Sequence, residues 1–405
     1  MKYIHLKVIA LNIFMLLAVT FTMRATTNML MTIIPVFTKY VINADVLDVG
    51  LTATLAGIGA LISNIFVNGK IRIDRTPVTI FSFLLLMTIS IFFLIFSSNI
   101  YEVLVLSLAS GLSMGVVQTL LMTLITALAP RELRDRYIAM FTASLSLSLI
   151  AGTLAQGLIV KYINVRTAFI IFFFVSLLST LIMLISSRRI KINPGKSKKI
   201  KFSDVLSKSS TALKNPKVQF ALSGNISYAF PFVLILTYGS IFGNEYDNIN
   251  PSSFFYILAA FFFVSFLTRL YMSTHSIKRK ELLMYFSFVL GLAGYIIIGI
   301  SSYYIIFLIG LIILGIPHGS IYPISSYYLS NSVETEDLNI VYSMFSFIMN
   351  IIAFIIPFVY GLISKLYDLR IASLSLSIPM ALVIIYSVIS NIKGNRSLKR
   401  NESLN

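Results

Sequence analysis

Uncharged, largely apolar stretches recur along this chain, separated by short polar joints. Six run near residues 9–36, 50–68, 78–98, 103–129, 138–160 and 168–187; after a longer polar joint, six more run near 218–242, 252–271, 282–300, 303–329, 339–364 and 371–391. A helix that crosses a bilayer needs roughly 20 apolar residues, so the pattern predicts an all-α integral membrane protein with 12 transmembrane helices. One joint is set by length alone. Leu282 to Val333 holds no charged residue and is too long for one helix, so it is folded at Ser301-Ser302 into an antiparallel pair. Pro35, Pro231, Pro317 and Pro357 fall inside spans; neighbouring membrane helices satisfy the carbonyls that proline frees, so these are read as kinks.

Composition agrees with that solvent. Of 405 residues 57% are apolar and 12% charged, with a mean hydropathy of +0.90, against roughly half apolar and a quarter charged in soluble domains. The formal net charge of +17 would suggest a nucleic-acid partner in a soluble protein, but its placement tells otherwise. Of 32 Lys and Arg, 25 lie on the side of the membrane that holds the N-terminus and 5 on the other. Cytoplasmic loops are enriched in basic residues, so both termini are expected in the cytoplasm and no nucleic acid is implied. The first stretch is longer than a signal-peptide core and lacks a small-residue cleavage site, and is read as a permanent helix. The absence of cysteine excludes disulfides, thiolate metal sites and thiol nucleophiles; no phosphate-binding loop is present, which argues against ATP-driven pumping.

The joint from Arg188 to Lys217 carries ten Lys/Arg against Asp204 alone, with Pro194-Gly195 and several serines. It divides the chain into a six-helix bundle at 1–190, a basic cytoplasmic linker at 191–217, a second bundle at 218–392 and a tail at 393–405. Such a run fixes topology and is suited to contact with anionic lipids.

Sliding the chain against itself by 204 residues superposes several segments without gaps. Gly111-Leu-Ser-Met-Gly115 falls on Gly315-Ile-Pro-His-Gly319, Gly157-Leu-Ile-Val-Lys161 on Gly361-Leu-Ile-Ser-Lys365, Arg166-Thr-Ala168 on Arg370-Ile-Ala372, and Arg75 on Arg279. Six helices separate the copies, an even number, so the halves are parallel repeats about an axis along the membrane normal.

At these residues the chain resembles the major facilitator superfamily of secondary transporters, over all twelve spans. The run Gly69-Lys-Ile-Arg-Ile-Asp74-Arg75-Thr-Pro77 is similar to that family's gating loop between helices 2 and 3, with Lys70 and Pro77 where glycines are usual. Leu213-Lys-Asn-Pro-Lys217 is similar to the start of the second half, and Arg166 to Phe169 to the start of helix 6. The resemblance implies alternating access around a midplane cavity lined by helices 1, 4, 7 and 10.

Acidic residues map to loops or helix ends, with Glu102 and Glu281 at N-terminal ends where the helix dipole favours a carboxylate. Arg24, by contrast, lies near the centre of the first span, where insertion costs about 2.5–3.5 kcal/mol. A water-filled cavity or an anionic solute would offset that cost, the guanidinium offering a fork to carboxylate or phosphate. Asn28 follows one turn later on the same face. Gln118, Asn225, Tyr228, His318 and Tyr322 are the other mid-span polar residues on the expected cavity helices. Histidine titrates near physiological pH, which makes His318 the candidate for proton coupling. Paired glycines at 111, 115, 315 and 319 are read as helix packing faces rather than ligand contacts.

Together these residues point to a secondary transporter of a small organic solute, an anion being the charge that Arg24 selects. It is expected as a monomer in the cell membrane, with no cofactor, no metal and no catalytic residues. Multidrug efflux of lipophilic compounds is the alternative, set back by a buried arginine that repels cations. A lipid-modifying enzyme is disfavoured because His5, His275 and His318 lie in separate segments. A non-transporting sensor on the same fold stays open at this point.

Overall fold

A computed structural model describes residues 2–68, 71–130, 133–190, 209–275, 277–332 and 338–402. Among them are 12 helices long and apolar enough to cross a membrane. They are α1 Lys2–Tyr40, α2 Val46–Ser63, α3 Thr76–Phe96, α4 Ile100–Leu128, α5 Arg134–Tyr162 and α6 Val165–Arg189, then α7 Pro216–Asp247, α8 Pro251–Thr274, α9 Lys280–Gly299, α10 Tyr304–Ser330, α11 Leu338–Leu366 and α12 Leu369–Glu402. The long uncharged run does turn at Ser301-Ser302, between α9 and α10. Most of the basic linker, residues 191–208, lies outside the described residues, as do Gly69 and Lys70 of the loop after α2.

Two helices are not regular. α2 ends in a π-helical turn, Asn64–Asn68. α7 runs as α-helix to Val233, passes through a π-helical turn at Leu234–Tyr238 and resumes as Gly239–Asp247. Pro231, just before the second π turn, lacks the N–H that would bond to Ser227, and such a local break in the ladder is a usual cause of irregularity.

The chain divides into two units, Met1–Ser197 with Asn250–Ala259, and Lys198–Ile249 with Ala260–Asn405. In the first, α1 packs on α4, α5 and α6, and α3 packs on α4 and α6; in the second, α7 packs on α10, α11 and α12, and α9 packs on α10 and α12. These pairings correspond one to one under the 204-residue offset, so the sequence repeat is also a packing repeat. Large apolar side chains on the outer faces stay exposed, among them Phe14, Val105, Val289 and Leu382, as befits helices whose surroundings are hydrocarbon. Buried hydroxyls supply polar contacts between helices: Thr88 meets Ser176 at 2.7 Å and Thr180 at 2.9 Å, and Ser287 meets Ser320 at 2.7 Å.

The repeat extends to one atomic device. Arg166, at the start of α6, donates to the carbonyls of Ile95 at 2.6 Å and Ser97 at 3.1 Å, in the turn between α3 and α4. Arg370, its counterpart at the start of α12, donates to the carbonyl of Ser301 at 2.5 Å and to Ser302 Oγ at 3.1 Å, in the turn between α9 and α10. Each guanidinium also lies over an aromatic ring, Phe37 at 5.2 Å and Tyr246 at 4.4 Å. Carbonyls at a helix end have no intrahelical donor; Arg166 satisfies two with its two Nη groups, and Arg370 serves one carbonyl and one hydroxyl from a single Nη2. Only the second copy adds a buried acid: Asp247, 4% exposed, accepts from Ser301 Oγ at 2.9 Å.

The paired glycines are packing sites. A Cβ at Gly111 would collide with the backbone of Ala56 on α2, and one at Gly319 would come within 2.6 Å of the Ser265 carbonyl on α8. Glu102 caps its helix as expected: its N–H donates to Asn99 Oδ1 at 3.0 Å while its carboxylate accepts from Ser98 N–H at 2.8 Å.

Candidate functional site

In the first unit the polar residues gather along α1. Arg24 is half-buried and its Nη1 donates to Gln118 Oε1 on α4 at 3.4 Å, so two residues singled out from the sequence do meet. Asn28, a turn further on, is 1% exposed, and its Nδ2 has no hydrogen-bond partner. Another turn on, Thr32 Oγ1 lies 2.9 Å from the Asn28 carbonyl and 2.8 Å from Gln156 Oε1 on α5. Gln156 is fully buried and its Nε2 is likewise unpartnered.

Thr32 has one hydroxyl proton for these two acceptors. With the Gln156 amide turned over, Nε2 donates to Thr32 Oγ1 and Thr32 donates to the Asn28 carbonyl, so both bonds carry a proton. Arg24, Asn28 and Thr32 thus form one polar edge, since residues four apart share a helix face. Sequence reading missed Thr32 and Gln156. The available signal was an uncharged amide inside span 5, near its C-terminal end.

In the second unit the centre is His318 on α10. Its Nδ1 is 2.7 Å from Ser265 Oγ on α8, a serine 2% exposed. The ring stacks on Phe232 with centroids 4.9 Å apart, and Phe261 and Tyr228 lie 5.0 Å and 5.7 Å away. Arg269, one turn beyond Ser265 on α8, donates from Nη2 to the His318 carbonyl at 3.3 Å. The second intramembrane arginine is therefore at the histidine, a residue the sequence reading left out of the site.

The other expected residues divide. Tyr228 is buried and its hydroxyl donates to the Leu314 carbonyl at 3.0 Å, tying α7 to α10. Asn225, 8% exposed, turns its amide back onto the Ala221 carbonyl of its own helix at 3.0 Å. Tyr322 was expected among the buried polar groups and is instead 54% exposed, its ring near Phe345 at 6.2 Å. The α10 face that His318 fills against α7 and α8 is uncovered a turn further along. In the loop between α2 and α3, Asp74 takes a bidentate ion pair from Arg72, both contacts at 3.1 Å, while Arg75 is exposed at the start of α3. Among the described residues no cluster of three or more His, Cys, Asp or Glu is arranged to hold a metal ion.

The sequence profile described as Major Facilitator Superfamily matches residues 16–357, with a second match over 218–402. The chain belongs to the major facilitator superfamily. Solved structures of that architecture superpose well. The nucleoside transporter NupG, in a mutant form, has a TM-score of 0.76 at 12% identity, covering 94% of this chain and 99% of that chain. A POT family transporter in complex with a thioalcohol-conjugated peptide gives 0.73 at 12%, covering 95% and 96%. A bacterial homolog of the human lysosomal transporter Spinster gives 0.67 at 13%, covering 92% and 96%. At such identities the likeness establishes the fold, that of a multi-pass superfamily transporter. No curated protein matches by sequence. Nothing in these comparisons supports the multidrug-efflux alternative.

Proposed function

We propose that this superfamily member is a secondary transporter of a small organic anion, working in the cell membrane by alternating access, with both termini cytoplasmic. The observation that carries this reading is Arg24, a guanidinium midway along a membrane helix, half-buried and donating from Nη1 to Gln118 Oε1 on α4. A guanidinium at that depth offers a bidentate fork to a carboxylate or phosphate. Asn28, with a buried and unpartnered N–H group on the same face, supplies a further donor for an oxygen-rich solute. In the second unit Arg269 and His318 offer a second cationic locus, and His318 is the group for a coupled proton. The role is transport rather than catalysis.

The test is thermal stabilisation of the purified protein by matched panels of organic anions, neutral sugars and lipophilic cations, since a ligand of the native state raises apparent stability. Stabilisation by anions that disappears in Arg24→Ala supports the reading. Stabilisation by lipophilic cations, unchanged in Arg24→Ala, overturns it.

A further inference from the structure

The second unit holds a groove of about 430 Å³ between α7 and α12, lined by Leu213, Gln219, Leu222, Ile226, Leu382 and Tyr386. That volume is in the range of small-molecule sites, but its lining is almost wholly apolar, and Leu382 and Tyr386 are 62% and 50% exposed on its outer side. Gln219, Leu222 and Ile226 recur at helical spacing, so the groove follows α7 for about 10 Å. It is built at one end: Gln219 Nε2 donates to the Leu213 carbonyl at 2.9 Å, pinning the leucine over the groove.

The same end is basic. Lys214 follows Leu213 and is exposed. Lys393, exposed, follows Tyr386 by two turns on the same face of α12. Glu281, at the start of α9, is engaged by Asn391 Nδ2 at 3.2 Å. An apolar channel open to hydrocarbon and ending near two exposed lysines, Lys214 and Lys393, matches one kind of molecule in charge and polarity.

We infer that this groove is a binding site for an anionic phospholipid. One acyl chain lies along Leu222, Ile226 and Leu382, and the headgroup phosphate sits at Lys214 and Lys393. The site is separate from the transport residues, so it holds or fails independently of the anion-transport reading.

The experiment is native mass spectrometry of the full-length protein in maltoside micelles doped with phosphatidylglycerol or phosphatidylcholine, on the parent, Lys214→Gln/Lys393→Gln and Ile226→Trp. The parent is expected to retain one phosphatidylglycerol in preference to phosphatidylcholine. A basic residue near an anionic surface contributes about 1 kcal/mol, or roughly fivefold, so the lysine pair should cut the preference about 25-fold. Ile226→Trp, filling the groove, should lower retention of both lipids while circular dichroism and melting temperature confirm the fold. If phosphatidylglycerol is retained equally by all three proteins, it is held elsewhere, as by the basic linker, and the inference is overturned. Equal retention of both lipids by the parent overturns it as well.

Discussion

Removing the clamp arginine of each half should destabilise the protein unequally. Arg166→Ala loses two charge-assisted hydrogen bonds to the turn carbonyls of Ile95 and Ser97, and a ring contact to Phe37. Hydrogen bonds to a charged group contribute about 1.5–3 kcal/mol net and an exposed cation–π contact about 0.5–1 kcal/mol. Sharing of one guanidinium between acceptors makes the terms less than additive, so about 3 kcal/mol is expected. Arg370→Ala loses the corresponding bonds to Ser301 and Ser302 and a closer ring contact, to Tyr246. It also takes the nearby cation from buried Asp247, and a buried charge left without compensation is costly, so about 4–5 kcal/mol is expected. Arg370→Lys keeps the charge but loses the planar guanidinium over the Tyr246 ring, and should fall between. Adding Asp247→Asn to Arg370→Ala removes the stranded charge and should recover about 1 kcal/mol, whereas Asp247→Asn added to Arg166→Ala should recover nothing. The assay is equilibrium unfolding of each variant in mixed micelles. Losses under about 1 kcal/mol at both arginines, or no recovery on adding Asp247→Asn, would refute the reasoning.

Arg24→Lys should retain part of the anion-dependent stabilisation and Arg24→Ala none; if both transport as well as the parent in proteoliposomes, Arg24 is only structural. His318→Gln should flatten the pH dependence of uptake near neutrality, where histidine titrates, and Ser265→Ala, which frees the ring at Nδ1, should displace that profile without abolishing uptake. An unchanged profile in both variants removes His318 from coupling. Gly111→Val should prevent α2 and α4 from packing, because its side chain would enter the Ala56 backbone; the readout is monodisperse yield, and a normal yield would contradict the packing role.

What was legible follows from how each signal is written. Twelve spans could be read because hydrocarbon imposes length and polarity on every segment, and the repeat because arginine and glycine occupy geometrically demanding places. The break in α7 was less so: Pro231 announces a kink, but not that the ladder widens into a π turn at Leu234–Tyr238. The site was legible only as a set of mid-span polar residues. Arg24 and Gln118 meet, as two polar residues on helices expected to line the cavity should, but Asn225 serves its own backbone, a choice of rotamer that no periodicity encodes. Arg269 was passed over because it lies near the end of its span and falls on Ile65 under the offset; its significance depends on α10, which sequence separation hides. Gln156 became interesting only when its buried amide was found beside Thr32.

The two clamps also bear on the time course of synthesis. Arg166 and the Ile95 carbonyl it holds are 71 residues apart, and Arg370 and Ser301 are 69 apart. Ribosomes add about 5–20 residues per second, so each turn waits roughly 4–14 seconds before the arginine that fastens it exists. Throughout that interval its carbonyls must be served by water or by insertion machinery. Each half therefore has a last fastening, made only when its sixth helix begins, and a nascent chain stalled before that point carries an open turn for quality control to recognise.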